Sequence, residues 1–183
     1  MAQTLRDLLV HLRLHFQLLL APIYLWGFFL SGALPRLDFW LGFVAFHVFL
    51  YGGITAYNSY YDRDEGPIGG LSKPPPVSRA LLPFSLAVLA AGAALAAFVN
   101  GPFLAIYLTI ALLGAAYSHP SVRWKSRPFG GLLVVGLGQG VLASLAGFVA
   151  GGAGFLGVTP TVGLGIAAVT LVTVGFYPLT QVY

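Results

Sequence analysis

Six apolar runs, each near twenty residues long and almost free of charge, limit what this chain can fold into. They lie at 15–34, 38–57, 80–99, 102–118, 129–150 and 161–182. About 20 residues at a rise of ~1.5 Å each cross the hydrocarbon core of a bilayer. Charged residues make up 8% of the sequence, against about 25% in an ordinary soluble domain, too few to cover a water-facing surface. The expected fold is therefore all-α: a polytopic membrane helical bundle forming one transmembrane domain over residues 1–183. Pro35, the Asn100-Gly101-Pro102 triplet and the Thr159-Pro160 pair supply breaks between runs. There is no cysteine, which excludes disulfides and Cys-ligated metal centres.

Arg6 and Arg13 precede the first run, and Ser31-Gly32-Ala33 ends it, an arrangement that imitates a secretory signal. The run is long, carries Trp26, Phe28 and Phe29, and is followed at once by a second, so it reads as a retained helix. With the N-terminus cytoplasmic, six crossings place Arg6, Arg13, Arg63, Lys73, Arg79, Arg123, Lys125 and Arg127 inside and only Arg36 outside. The expected location is the cell (inner) membrane, with the polar loops cytoplasmic. The net charge of +4 is spread over these loops, and the expected partners are membrane lipid and small ligands, with no nucleic acid.

Three of the five acidic residues fall within four positions, in "AYNSYYDRDEGPIGGLSKPPP" at 56–76. At about 100° per residue, Tyr51, Asn58 and Asp62 share a helical stripe, with His47 about 20° from Asn58. Glu65 joins the stripe if the helix continues, and Asp64 does not. Asn58 and Asp62, one turn apart, can reach a common ligand. Such oxygen donors suit Mg²⁺, which takes one or two carboxylates and completes its shell with water and substrate phosphate. By itself the cluster reads equally well as a solvated turn salted by Arg63.

A second polar loop, "YSHPSVRWKSRP" at 117–128, has three cations in five residues on the same expected side. Alone it is an ordinary positive-inside loop. Facing a carboxylate-bound Mg²⁺, its Arg and Lys residues would hold a diphosphate and stabilise it as a leaving group. The two loops together favour a phosphate-bearing substrate that partitions into the bilayer.

"NSYYDRDEG" followed by "SKPPPVS" resembles the first aspartate-rich motif of the UbiA superfamily of intramembrane prenyltransferases, and "YSHPSVRWKSRP" is similar to that family's Tyr-Ser-x-Pro…Lys loop. The resemblance implies a nine-helix bundle of which six helices, the N-terminal two-thirds, are present. It also implies Mg²⁺-dependent transfer of a prenyl group from an isoprenyl diphosphate to an aromatic or lipid acceptor within the membrane. Carried over, Asn58 and Asp62 match the first motif as catalytic and metal-binding residues. Lys73 matches the basic residue after the first motif, and Tyr117 and Lys125 match the second loop. Arg123 and Arg127 join Lys73, Tyr117 and Lys125 as expected diphosphate contacts, with Lys125 also expected to be catalytic. The family's second aspartate is Gly66 here, so Glu65 or Asp64 is expected to supply that carboxylate. The sequence closes on "FYPLTQVY", where the family's second aspartate motif is approached, so the expectation is a C-terminally truncated chain that does not turn over alone. The alternative is a non-catalytic truncated membrane protein or lipid-binding subunit.

Outside these loops, "GLGQG" at 136–140 lies within an apolar run with no strand before it, which argues against a phosphate-binding loop. Gly136, Gly140, Gly147 and Gly151 read instead as sites of close helix–helix approach. Gln139 reads as an interhelical hydrogen-bond partner, and His47 as a packed, hydrogen-bonded histidine.

Overall fold

The computed structural model describes residues 4–181. Six helices long and apolar enough to cross a membrane account for most of it: α1 Leu5–Leu30, α2 Leu37–Asp62, α3 Leu81–Val99, α4 Gly101–Ser118, α5 Phe129–Ala150 and α6 Pro160–Leu179. All six expected runs are present. The last expected residue of the sixth, Val182, and Tyr183 lie outside the described residues.

The breaks are made by capping. Asn100 Oδ1 accepts from Phe103 N–H at 2.8 Å, opening α4 with Pro102 in its first turn. The Asn100 amide also donates to Val149 O at 2.9 Å, tying the start of α4 to the end of α5. Thr159 Oγ1 accepts from Val162 N–H at 3.3 Å, and Pro160 opens α6. A residue read from sequence only as a breaker is thus also an interhelical tie.

α1 starts ten residues earlier than its apolar run, because its first turns form a separate short helix, Leu5–Val10. Thr4 and Asp7 cap it reciprocally. The helix then breaks at Arg13, whose φ is 48°. Gln17 bridges the break by donating to Leu12 O at 3.0 Å and to Thr55 Oγ1 at 2.9 Å, which satisfies a carbonyl the break exposes.

The core is aromatic where α1, α2, α4 and α5 meet. Tyr24, Phe46 and Phe103 are fully buried, with Phe28 and Phe39 beside them. His47 stacks on Phe43 with centroids 4.2 Å apart, and its Nδ1 lies 2.9 Å from Phe43 O. It is the packed histidine expected. α1 and α5 cross backbone to backbone: a Cβ on Gly27 would fall 1.7 Å from Ser144 O, and one on Gly147 would fall 1.9 Å from Tyr24 O. Gly140 and Gly151 are close-packed in the same sense, against Thr170 and Ser31. Without a hydrophobic drive between helices in lipid, such close approach supplies the dispersion and packing that hold a membrane bundle together. Gln139 departs from expectation, making no side-chain hydrogen bond among the described residues.

The outside is apolar. Phe29, Leu112, Phe129, Leu164 and Leu171 are each more than 70% exposed, a surface that only an acyl-chain environment solvates well. The chain is an integral membrane protein. α6 is the least enclosed helix, held to α1 by a hydrogen bond from Trp26 Nε1 to Gly165 O of 3.0 Å.

Candidate active site

The last turns of α2 carry Asn58, Ser59 and Asp62, and α2 stops at Asp62 because Arg63 takes a left-handed conformation with φ 53°. Arg63 N–H closes the helix on Ser59 O at 3.0 Å. α4 ends opposite with Tyr117 and Ser118. The loop after it turns through a left-handed Arg123 into one 3-10 turn, Trp124–Ser126, which swings Lys125 back under the end of α2.

Four side chains converge there. Lys125 Nζ forms an ion pair with Asp62 Oδ1 and donates to Asn58 Oδ1 at 3.1 Å. Ser118 Oγ donates to the same Asn58 oxygen at 2.6 Å. The Lys125 ammonium also lies 5.9 Å from the centroid of the Tyr117 ring, within cation–π range. Tyr117 OH and Tyr177 OH are 3.2 Å apart, linking α4 to the end of α6. Lys125 and Asp62 are each 14% exposed, so the pair is largely shielded from solvent.

On the other flank, the Arg13 guanidinium donates to Ser59 Oγ at 2.7 Å, with Asp64 and Asp62 as its neighbouring carboxylates. The loop 63–80 folds back over it through a tight turn. Ile68 and Leu71 exchange both backbone hydrogen bonds at 2.9 Å, and Gly69 and Gly70 take φ of 52° and 79°. That is the pattern of a type I′ turn, which glycine pairs adopt without strain. A Cβ on Gly69 would lie 2.9 Å from Arg13, and one on Gly70 would lie 2.6 Å from His15 Nε2, so the turn is seated directly on α1.

Asn58, Asp62, Lys125 and Tyr117 are therefore brought together as the sequence led one to expect. Lys73, Arg123 and Arg127 are exposed, and none makes a side-chain hydrogen bond or ion pair among the described residues. Glu65 leaves the expected stripe because the helix ends three residues before it, and it is exposed. Asp64 is half-buried, with Oδ2 buried and without a hydrogen-bond partner. Among the described residues no three Asp, Glu, His or Cys side chains gather as a metal cage. The four-residue set Asn58, Asp62, Asp64 and Glu65 is thus not assembled, because the left-handed Arg63 turns the chain away after the second oxygen donor.

Sequence reasoning missed Ser118, Arg13, Ser59 and Tyr177. Ser118 stood inside the "YSHP" motif without a role, and Arg13 counted only as a topology-setting charge. Only the tertiary contacts give either of them a partner.

A divalent ion fits this donor set in part. Asn58 Oδ1 and Asp62 Oδ1 already converge on one cationic atom, Lys125 Nζ. Two hard oxygen donors one turn apart are the share of a Mg²⁺ shell that a protein commonly supplies when substrate phosphate and water supply the rest.

The UbiA prenyltransferase family model matches residues 20–181. The chain belongs to the UbiA prenyltransferase family. Solved structures agree. A UbiA homolog from Archaeoglobus fulgidus bound to GPP and Mg²⁺ superposes with a TM-score of 0.74 at 28% identity, covering 93% of this chain and 61% of that one. The same organism's UbiA homolog bound to DMAPP and Mg²⁺ gives 0.73 at 27% identity, over 91% and 61%. One bound to Cd²⁺ gives 0.71 at 27% identity, over 93% and 60%. This UbiA family member thus spans about three fifths of the length of the solved structures it resembles. No curated protein matches it.

Proposed function

We propose that the chain binds an isoprenyl diphosphate at the cytoplasmic end of α2 and α4 and takes part in Mg²⁺-dependent prenyl transfer to a hydrophobic acceptor, aromatic or lipid, within the membrane. The observation that carries this reading is the convergence of Asn58, Asp62 and Lys125 on one point at the end of an apolar bundle. A bound Mg²⁺ would supply charge neutralisation for a departing diphosphate. Asn58 and Asp62 would hold it, with half-buried Asp64 and exposed Glu65 as the two further carboxylates in the segment after them. Lys125 would donate to a non-bridging phosphate oxygen, and the Tyr117 hydroxyl stands beside it. Cleavage of the allylic carbon–oxygen bond sends its electron pair to the diphosphate. The acceptor then supplies the pair for the new bond and loses a proton. Lys73, Arg123 and Arg127 lie on exposed loop segments at this end and would meet the diphosphate only after rearrangement of those loops.

The test uses the chain in nanodiscs with a radiolabelled isoprenyl diphosphate. Binding should require Mg²⁺, vanish with EDTA, and fall at least tenfold in Asp62→Asn, the size of effect expected when an ion's oxygen ligand is lost. Binding that ignores both EDTA and the substitution overturns the reading. A second reading, a non-catalytic lipid-binding subunit, draws on the absence of any cage of three carboxylate or imidazole side chains among the described residues. It predicts diphosphate binding with no labelled product when membrane lipid extract is added as acceptor.

A further inference from the structure

We infer that Lys125 is a displaceable stand-in for the divalent cation at Asn58 and Asp62, and that Ser118 holds Asn58 in position while the two cations exchange. The inference rests on the metal-binding reading above.

The argument is a count of lone pairs. An amide oxygen offers two. Asn58 Oδ1 gives one to Ser118 Oγ at 2.6 Å and the other to Lys125 Nζ at 3.1 Å. Asp62 Oδ1 is engaged by the same ammonium. A metal ion can therefore reach Asn58 only if one donor leaves.

The two donors differ in their freedom to leave. Ser118 is 1% exposed and fixed in the last turn of α4. Lys125 sits on a connecting loop at the end of a flexible four-carbon stem. Lys125 is the group that moves, and a diphosphate entering beside it gives the displaced ammonium a new anionic partner. Ser118 stays and does a second job. Its O–H requires an acceptor, so it keeps the Asn58 oxygen, rather than the NH₂, turned toward the cation. That is the orienting role that outer-shell partners play at metal sites.

The consequence is a site that is self-neutralised without substrate and takes metal weakly until Lys125 departs. Free Mn²⁺, read by electron paramagnetic resonance, is titrated into the detergent-purified chain without any diphosphate. Lys125→Met and Lys125→Gln should each tighten Mn²⁺ binding about tenfold by removing the competing charge. Ser118→Ala should weaken it about tenfold. A generally damaged bundle would not move these variants in opposite directions. A second measurement uses the unaltered protein. Lys73 and Lys125 are its only lysines, and exposed Lys73 serves as the reference for acetylation followed by mass spectrometry. Mn²⁺ should raise the acetylation of Lys125 relative to Lys73.

Lys125 variants that bind Mn²⁺ no more tightly than the wild type overturn the stand-in role, as does Lys125 acetylation indifferent to Mn²⁺. If neither the wild type nor the Lys125 variants bind Mn²⁺ saturably, the metal-binding reading falls together with the stand-in. If the wild type binds and the variants match it, only the stand-in falls.

Discussion

Gly27 and Gly147 show what a single residue decides here. Each places its Cα where a side chain would overlap a backbone carbonyl of the facing helix, so the α1–α5 crossing exists only with glycine at both. Gly147→Val forces the helices apart, and overpacking of this kind typically costs about 3 kcal/mol. It should appear as a lowered midpoint of thermal unfolding in detergent. Gly163→Ala, facing open space in α6, should leave that midpoint within error. Asp62 belongs to the same scale for a different reason. Its Lys125 partner is shielded with it, so Asp62→Asn leaves an ammonium short of a counter-charge. The variant should bind an isoprenyl diphosphate poorly even at saturating Mg²⁺.

The end of α2 is set by conformation as much as by composition. Arg63 pays for a left-handed φ that glycine would adopt freely. Arg63→Gly should be neutral to slightly stabilising. Arg63→Val should be destabilising by about 1–2 kcal/mol, because a β-branched residue resists positive φ. Thermal unfolding of the two variants side by side checks the sign. The Tyr117–Tyr177 contact joins α4 to the end of α6, the least enclosed helix. Tyr177→Phe removes one hydrogen bond, worth about 1 kcal/mol. It should raise hydrogen exchange toward the end of α6 while leaving α1–α5 unchanged. Two stretches, Ala45–Tyr51 in α2 and Val135–Leu142 in α5, widen into π-helix. They change the rotation per residue along the helix, which is why a stripe drawn at uniform spacing from His47 to Asn58 does not describe α2 accurately.

Across the whole molecule, the polar chemistry gathers at one end of an apolar bundle. Arg13, Asn58, Asp62, Ser118 and Lys125 share that end. The excess of Lys and Arg in the same loops carries the proposal that this end faces the cytoplasm. Because the chain has no cysteine, single substitutions report orientation cleanly. Ser72→Cys and Ser121→Cys should react with a membrane-impermeant maleimide only after the inner face is opened. Ala153→Cys, in the turn between α5 and α6, should react from outside in intact cells. The reverse pattern would invert the topology.

The six helices were legible in the sequence because bilayer thickness and the lack of lipid-side hydrogen-bond partners leave a long apolar segment one structure to adopt. Asn58, Asp62, Tyr117 and Lys125 were legible as well. Local spacing puts the first two on one turn, and the loop motif marks the other two. What the sequence could not reveal depended on contacts between distant segments and on one backbone conformation. Ser118 and Arg13 acquire roles only when α4 and α1 are laid against α2, 60 and 46 residues away in the chain. Glu65 loses its expected place because α2 ends at a left-handed arginine, which helical periodicity does not foresee. Periodicity describes each helix in isolation, whereas the contact of the Lys125 ammonium with the Asn58 and Asp62 oxygens is defined only by how the helices meet.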